Sequence, residues 1–514
     1  MTMREKVARR VIWSPLPGSQ TAALLCPYNH ILYEGTRGPG KSECQLMHFR
    51  KNVGKGYGAY WRGVIFGTEY KTFDDLKAKA LKIFPQFKDG AKYLSSTVEN
   101  RWVWPTGEQL LFRAINKEAD YADYHGHEYP WMGWNELTSY PTPKLYDLMQ
   151  SCNRSSFLPK ENSPRDKNGN ILKLLPEIPL VVFSTCNPSG VGHNWVKRKF
   201  VDVADPGEVV YIKSNVFNPR SGKREDVTRT QIRIFGSYKE NRYLSPEYIA
   251  SLESISEENK RRAWLWGDWD ITSGGALDDL WTGNVHVIPR FPIPGSWYSN
   301  RSFDWGSTQP FSVGWWAEAN GEEVTLPSGA TWCPAAGSLI RFNEWYGGIE
   351  DNATMIGIKM SAPDIAKGIN EREKNMVDDG WIVETPCAGP ADNSIRDVRE
   401  KDNDSIETKM EVEGVTWTES NKKPGSRIIG LQLIRDRLEA SLRKSKGVSE
   451  PGPGIYFMDN CKHAISTLPV LPRDDKKPDD VDTNAEDHIY DDTRYRVLDG
   501  SNRYVTSVKV KFFN

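Results

Sequence analysis

The stretch Ile31-Leu32-Tyr33-Glu34-Gly35-Thr36-Arg37-Gly38-Pro39-Gly40-Lys41-Ser42 decides the fold of the first half of this 514-residue chain. It satisfies G-x-x-x-x-G-K-[ST] in full, entered from an apolar β-prone run and left through a helical pattern over Ser42 to Asn52. Small residues let backbone N–H groups turn inward onto phosphate oxygens, at a helix N-terminus that favours negative charge. Gly35, Thr36, Arg37, Gly38, Pro39 and Gly40 would cradle phosphates, Lys41 would reach the β/γ-phosphates, and Ser42 would ligate Mg²⁺. The expected ligand is a nucleoside triphosphate.

Around this loop the chain reads as α/β with a mostly parallel sheet. Strand-like runs at Ile31–Tyr33, Gly63–Phe66, Arg101–Trp104, Leu110–Phe112, Tyr129–Trp134, Leu180–Ser184 and Val209–Ser214 alternate with helical stretches at Phe73–Phe84 and Lys144–Asn153. Pro159 to Asn170 reads as an exposed loop insertion. Ser245 to Trp264 has helical periodicity and reads as a small lid. After prolines 289, 292 and 294 a second domain opens on Ser302-Phe303-Asp304-Trp305-Gly306, with a hairpin partner at Phe311–Ala317 and a long helix at Ile429–Lys444. Arg473 to Glu486 reads as a charged loop, and the termini as poorly constrained. The boundaries expected are 1–235 for the nucleotide core, 236–272 for the lid, 273–298 for a linker and 299–514 for the second domain.

Such a length calls for more than one core. Residues 1–270 hold 39 Lys and Arg against 30 Asp and Glu, a net of +9; the rest of the chain, with 28 against 38, carries −10. A basic first half suits a polyanion, and an acidic second half suits one only if some carboxylates hold metal. No apolar run approaches the roughly 18 residues that span a bilayer, and no signal peptide is read. Seven scattered cysteines with no C-x-x-C pair argue for a reducing compartment and against a thiolate zinc site.

Hydrolysis needs a group that positions water across the sheet from the loop. Trp131-Met132-Gly133-Trp134-Asn135-Glu136 is an apolar strand ending in a polar pair. Glu136 would orient the attacking water, and Asn135 stands where a Mg²⁺-associated aspartate is usual. Ser184, Thr185, Cys186 and Asn187 end another buried strand, where a γ-phosphate can be sensed and the signal passed on. Arg37 could offset charge on the transferring phosphoryl group, and Gln20 could hydrogen-bond adenine. In the second domain Asp304 lies in an apolar strand, where an unpaired carboxylate costs several kcal/mol and calls for a partner such as a metal. Asp392 follows a strand-to-loop transition, and Asp487 and Asp491 share a helical face. Carboxylates from separate elements, without thiolates, suit Mg²⁺ or Mn²⁺. Each of these residues also has a plainer reading as a turn, a cap or a surface charge.

Taken in order, these motifs resemble the large subunit of tailed-bacteriophage terminases. Ser14 to Gln20 is similar to that family's adenine-contacting segment, Asn135-Glu136 to its second nucleotide motif, and Ser184 to Pro188 to its coupling motif. Leu265-Trp266-Gly267-Asp268-Trp269 is similar to L-x-G-[DN]-W, and Asp487 to Tyr495 to D-H-x-x-D-x-x-R-Y. Asn135 departs from the usual aspartate. No arginine lies between Arg113 and Glu136, so no trans-acting arginine can be assigned there. The resemblance implies an ASCE-type P-loop ATPase with a small lid, then a ribonuclease-H-like nuclease with Asp304, Asp392 and Asp491 as metal ligands and Asp487 as a further one. It implies ATP and Mg²⁺ as cofactors, with Mn²⁺ able to substitute in the nuclease. It also implies double-stranded DNA, a small terminase subunit and the procapsid portal as partners. The form implied is a homo-oligomeric ring on the portal and a monomer in solution, in the host cytoplasm and away from membranes. The rival readings are a cellular ATP-dependent nuclease or helicase, and a non-enzymatic DNA-bound scaffold.

Overall fold

The computed structural model describes residues 11–504 apart from 97–98, 219–220, 257, 271–274, 308, 349–356, 399–403, 475–476 and 478. The poorly constrained termini, the end of the lid and start of the linker at 271–274, and parts of the 473–486 loop therefore lie wholly or partly outside the described residues. The chain divides into two compact units, Met1–Trp269 and Asp270–Asn514.

The first unit is built on nine strands: β1 (His30–Gly35), β2 (Arg62–Gly67), β3 (Lys92–Leu94), β4 (Arg101–Val103), β5 (Gln109–Ala114), β6 (Trp131–Trp134), β7 (Val181–Thr185), β8 (Val209–Asn218) and β9 (Lys223–Gly236). They are ordered β3-β4-β5-β2-β6-β7-β1-β9-β8. The six from β5 to β9 run parallel, and the antiparallel β4-β3 pair and β8 close the two edges. Every residue of β1, β6 and β7 is buried, as expected of strands covered on both faces by helices. The strand that carries the phosphate loop is separated from β6 by β7, so the ends of all three open on the same edge. This is a P-loop α/β fold.

The largest difference from the sequence reading is β9, which no periodicity announced. Its last six residues pair with β1 in register from His30↔Gln231 to Gly35↔Gly236. Its first half, rich in charge and threonine, pairs only with β8 and lies exposed. Half a strand patterned for water and half for a core gives no single period. The 159–170 stretch is largely exposed, but opens on a helical turn, Pro159–Asn162.

The second unit contains β10 (Val287–Ile288), β11 (Tyr298–Asp304), β12 (Ser312–Glu318), β13 (Val324–Thr325), β14 (Thr331–Trp332), β15 (Leu339–Tyr346), β16 (Pro390–Ala391), β17 (Thr418–Glu419) and β18 (Ile455–Met458). Seven of them form one sheet, ordered β10-β18-β15-β12-β11-β16-β17. Within it β15-β12-β11 is an antiparallel meander, and β16 and β17 add parallel to β11, the ribonuclease-H-like order. Neighbouring Trp315 and Trp316 pack into different cores, one on each face of the sheet. The Ala362–Asp378 helix covers one face through Ile365, Ala366, Ile369 and Met376. Helices Ser426–Ser445 and His488–Tyr504 cover the other through Leu431, Ile434, Leu438, Ile489 and Val497. The stretch read as a linker is built into this unit: β10 pairs with β18, and Ala276 and Leu277 are fully buried in the second of these cores.

Candidate functional site

The phosphate loop leaves β1 at Gly35, whose φ of +120° only glycine adopts easily; a Cβ there would lie 2.3 Å from the Gly236 carbonyl oxygen. The Thr36 N–H donates to that carbonyl at 2.9 Å, and the Thr36 hydroxyl accepts from the Tyr238 N–H at 2.6 Å. The unexpected strand β9 therefore clamps the loop. Gly40, also at positive φ, would bring a Cβ to 2.5 Å from the Gln20 amide nitrogen. Gln20 accepts from the Leu16 N–H at 2.6 Å and donates to the Gly40 carbonyl at 3.1 Å. It thus links the segment before β1 to the loop.

Lys41 opens the following helix, buried, with its ammonium donating to the Thr36 carbonyl at 2.6 Å and to Asn187 Oδ1 at 2.8 Å. Burial pulls its pKa down, opposed by the nearby Glu136 carboxylate. The Asn187 amide in turn donates to Glu136 Oε2 at 3.3 Å. Glu136 sits at φ 53°, a left-handed conformation that side chains with a Cβ adopt rarely and mostly at functional positions. Its N–H reaches the Thr185 hydroxyl at 3.4 Å. The result is a line from Lys41 through Asn187 to Glu136, assembled from the ends of β1, β7 and β6.

These residues line a cavity of about 600 Å³ with Arg37 to Glu43, Lys79, Ser189, Asn241, Leu244 and Tyr248, within the size range of small-ligand sites. Ser42 faces the cavity. Asn135 is not among the lining residues; its amide points to the Thr72 carbonyl, 3.5 Å away. Of the four residues read as coupling, Asn187 faces the cavity. Ser184, Thr185 and Cys186 are buried behind it, the Cys186 thiol pushed up by desolvation. Arg37 lies 3.3 Å from the centre of the Trp264 ring, and burial lowers its pKa.

Sequence reasoning missed Lys79, Asn241 and Tyr248, which come from elements with no motif of their own. It also missed Glu34, a fully buried carboxylate one residue before the loop. Glu34 accepts from the Trp269 indole at 3.0 Å and pairs with Arg233 at 3.4 Å; burial raises its pKa. The final tryptophan of L-W-G-D-W thus ends directly behind the phosphate loop.

In the second unit Asp304 closes β11 and Asp392 follows β16. Because Phe303 pairs with Ala391 and the Asp392 N–H donates to the Phe303 carbonyl at 2.9 Å, both aspartates leave the sheet at the same end of adjacent parallel strands. Asp491 comes from the first turn of the 488–504 helix, and Asp487 immediately precedes that helix. Asp304 is raised above the carboxylate range by burial and by the charges of Asp491 and Asp392, against the lowering effect of His488. Asp487 is raised for the same reasons, burial first and Asp491 next. The acids therefore feel one another.

Asp304 has protein partners: His488 Nδ1 at 2.9 Å and the Tyr495 hydroxyl at 3.3 Å. Burial works against a charged His488, but its bond to Asp304 together with the charges of Asp304, Asp487 and Glu486 lifts its pKa to about 9. Lys422 bonds to Asp392, while Arg427 faces Asp480, Asp487 and Asp491. Among the described residues no three His, Cys, Asp or Glu side chains stand in ready coordination geometry. An all-carboxylate donor set with mutually repelling charges nevertheless fits a hard divalent cation. The neighbouring Asp492 points the other way, fully buried against Arg341 at 3.1 Å, with Ser302 and Ser312. This pair ties the helix that carries Asp491 to the sheet.

No family model matches the sequence, and no curated protein matches it. Among solved structures the chain is similar to the large terminase from a thermophilic bacteriophage: 14% identity, 94% of this chain and 98% of that one covered, TM-score 0.36. The HK97 bacteriophage large terminase gives 10% identity over 93% of each chain at a TM-score of 0.40. The P22 large terminase nuclease domain gives 13% over 45% of this chain and 94% of that one at 0.30. The protein from the thermophilic phage has been solved with ADP and with ATP-gamma-S. Among the described residues no helix is long and apolar enough to cross a membrane.

Proposed function

We propose that this chain is the large subunit of a phage terminase, an ATP-driven DNA-packaging motor with its own metal-dependent endonuclease. The observation that carries the reading is the pairing, in one chain, of two sites of opposite electrostatic sense. In the first unit a buried ammonium held by neutral oxygens lines a cavity at a helix N-terminus. In the second, Asp304 and Asp392 leave adjacent strand ends, and the charge of Asp491 in the first turn of a helix acts on Asp304. The ordered motifs, from Gly35–Ser42 through Leu265–Trp269 to Asp487–Tyr495, join the two into one machine.

In the first site an incoming triphosphate takes the Lys41 ammonium from Thr36 and Asn187. Asn187 Oδ1 is then released while its amide still holds Glu136, so phosphate occupancy is transmitted to the group that orients the attacking water. Preorganised donors of this kind stabilise the charge that develops on the phosphoryl group. Mg²⁺ would be held at Ser42. In the second site Asp304, Asp392 and Asp491, with Asp487 alongside, would hold Mg²⁺ or Mn²⁺. Such ions supply charge stabilisation of the attacking and leaving oxygens of a phosphodiester. His488 and Tyr495 hold the Asp304 carboxylate in place.

Grip on double-stranded DNA during translocation is through phosphates, hence salt-sensitive and tolerant of sequence. The small terminase subunit and the portal are the protein partners, and a ring on the portal is the working form in the host cytoplasm. The test is separation of function. Lys41→Ala should abolish ATP hydrolysis and leave Mn²⁺-dependent cutting intact, and Asp304→Ala should do the reverse, with no strand separation by either. Loss of both activities in a folded single variant would contradict the reading.

A further inference from the structure

The acids of the second site divide by the cation each one faces. Arg427, in the first turn of the Ser426–Ser445 helix, stands 3.1 Å from Asp480, 3.4 Å from Asp491 and 3.6 Å from Asp487, with its side chain 27% exposed. A guanidinium shared among three carboxylates is a fixture. Lys422 differs. Among the described residues it bonds to Asp392 Oδ1 alone, its side chain is 39% exposed, and its ammonium lies 5.6 Å from the centre of the Tyr495 ring beside Asp304.

The placement of Lys422 is built. Two residues upstream, the Ser420 N–H donates to Asn393 Oδ1 and the Asn393 amide donates back to the Ser420 carbonyl, both at 3.0 Å. That reciprocal pair ties the segment before Lys422 to the residue next to Asp392. Asp392 is itself fixed, accepting from the Ser394 N–H at 2.8 Å on the same oxygen that meets Lys422.

We propose that Lys422 is a substrate-positioning residue of the nuclease site, exchanging Asp392 for a DNA backbone phosphate as a divalent ion takes that carboxylate. This rests on the nuclease reading above. One carboxylate oxygen cannot serve an ammonium and a divalent ion at full strength, so Lys422 holds metal affinity down until DNA offers the ammonium another anion. A flexible point charge suits this transfer better than a planar guanidinium held by three partners. The consequence is cooperativity: DNA tightens metal binding, and metal tightens DNA binding by the same factor.

The test counts bound Mn²⁺ by the loss of free-ion electron paramagnetic resonance signal. It uses the full chain without nucleotide, with and without a short DNA duplex, and Asp304→Asn sets the background. Lys422→Met should bind Mn²⁺ about tenfold more tightly than wild type in the absence of DNA, the scale of removing one opposing charge from a carboxylate. It should also lose the tightening that DNA gives the wild type, and Lys422→Arg should restore weak binding. Mn²⁺ affinity unchanged or weakened in Lys422→Met, with its melting temperature preserved, overturns the proposal. Wild type that binds no more Mn²⁺ than Asp304→Asn, even with DNA, overturns the nuclease reading and this proposal with it.

Discussion

The two sites sit at equivalent places, the open ends of parallel strands, and present opposite charges. In the first, the buried cation Lys41 is held by neutral groups, Thr36 O and Asn187 Oδ1, which yield it to a phosphate at little cost. In the second, the anions are held by cations, Lys422 on Asp392 and Arg427 on Asp487 and Asp491. Strand ends in such sheets are places where backbone and side chains can converge on a ligand. The residues placed there decide whether that ligand is an anion or a cation.

The sharpest way to break the comparison is at Glu136, the acid of the anion site. Glu136→Gln keeps the bond from Asn187 and removes the charge proposed to position water. Turnover should fall about 10²- to 10⁴-fold with ATP affinity retained, as read by single-turnover hydrolysis beside nucleotide titration. A parallel loss of ATP binding would make Glu136 part of the cradle and not of the chemistry.

The cation site rests on a buried ion pair that ties its helix to the sheet. Arg341 and Asp492 are both fully buried. Arg341→Met leaves Asp492 uncompensated and should destabilise the second unit by about 3–5 kcal/mol, seen as an earlier calorimetric transition. Adding Asp492→Leu should recover most of that loss, and a single variant that melts like wild type would show that the helix is anchored by apolar packing alone.

Smaller effects sharpen the first site. Gln20→Ala removes one hydrogen bond within the N-terminal segment and one from it to the loop, and should weaken ATP binding about fivefold, the scale of roughly 1 kcal/mol. Affinity lost a hundredfold would place Gln20 on the base itself. Asn135→Asp should change Mg²⁺-ATP affinity by less than about twofold, the range of substitutions away from the ligand. A larger gain would return Asn135 to the metal site expected from its motif.

Much of this was readable before the fold. The phosphate loop, Glu136 and the two strand-end aspartates announce themselves because backbone geometry and charge chemistry restrict which residues work there. What stayed hidden had no local signature. The β9 strand is half exposed, where it pairs with β8, and half core, where it pairs with β1. Glu34 and Asp492 differ from their neighbours only in which way a side chain turns. Asp304, expected to need a metal, finds His488 and Tyr495 first. Lys79, Asn241, Lys422 and Arg427 are ordinary surface residues in the sequence, and only tertiary placement brings them to the cavity or to the aspartates. The Asn135 reading followed position in a motif, whereas the amide turns toward Thr72 at the neighbouring strand end.

The central claim, that one chain carries an anion cradle and a separate cation cluster, is tested most directly by anomalous scattering from crystals grown with Mn²⁺ and a short DNA duplex. The account predicts a strong peak within coordination distance of Asp304 and Asp392. A map with no peak beside those two carboxylates, while Mn²⁺ is bound elsewhere in the same crystal, would contradict it.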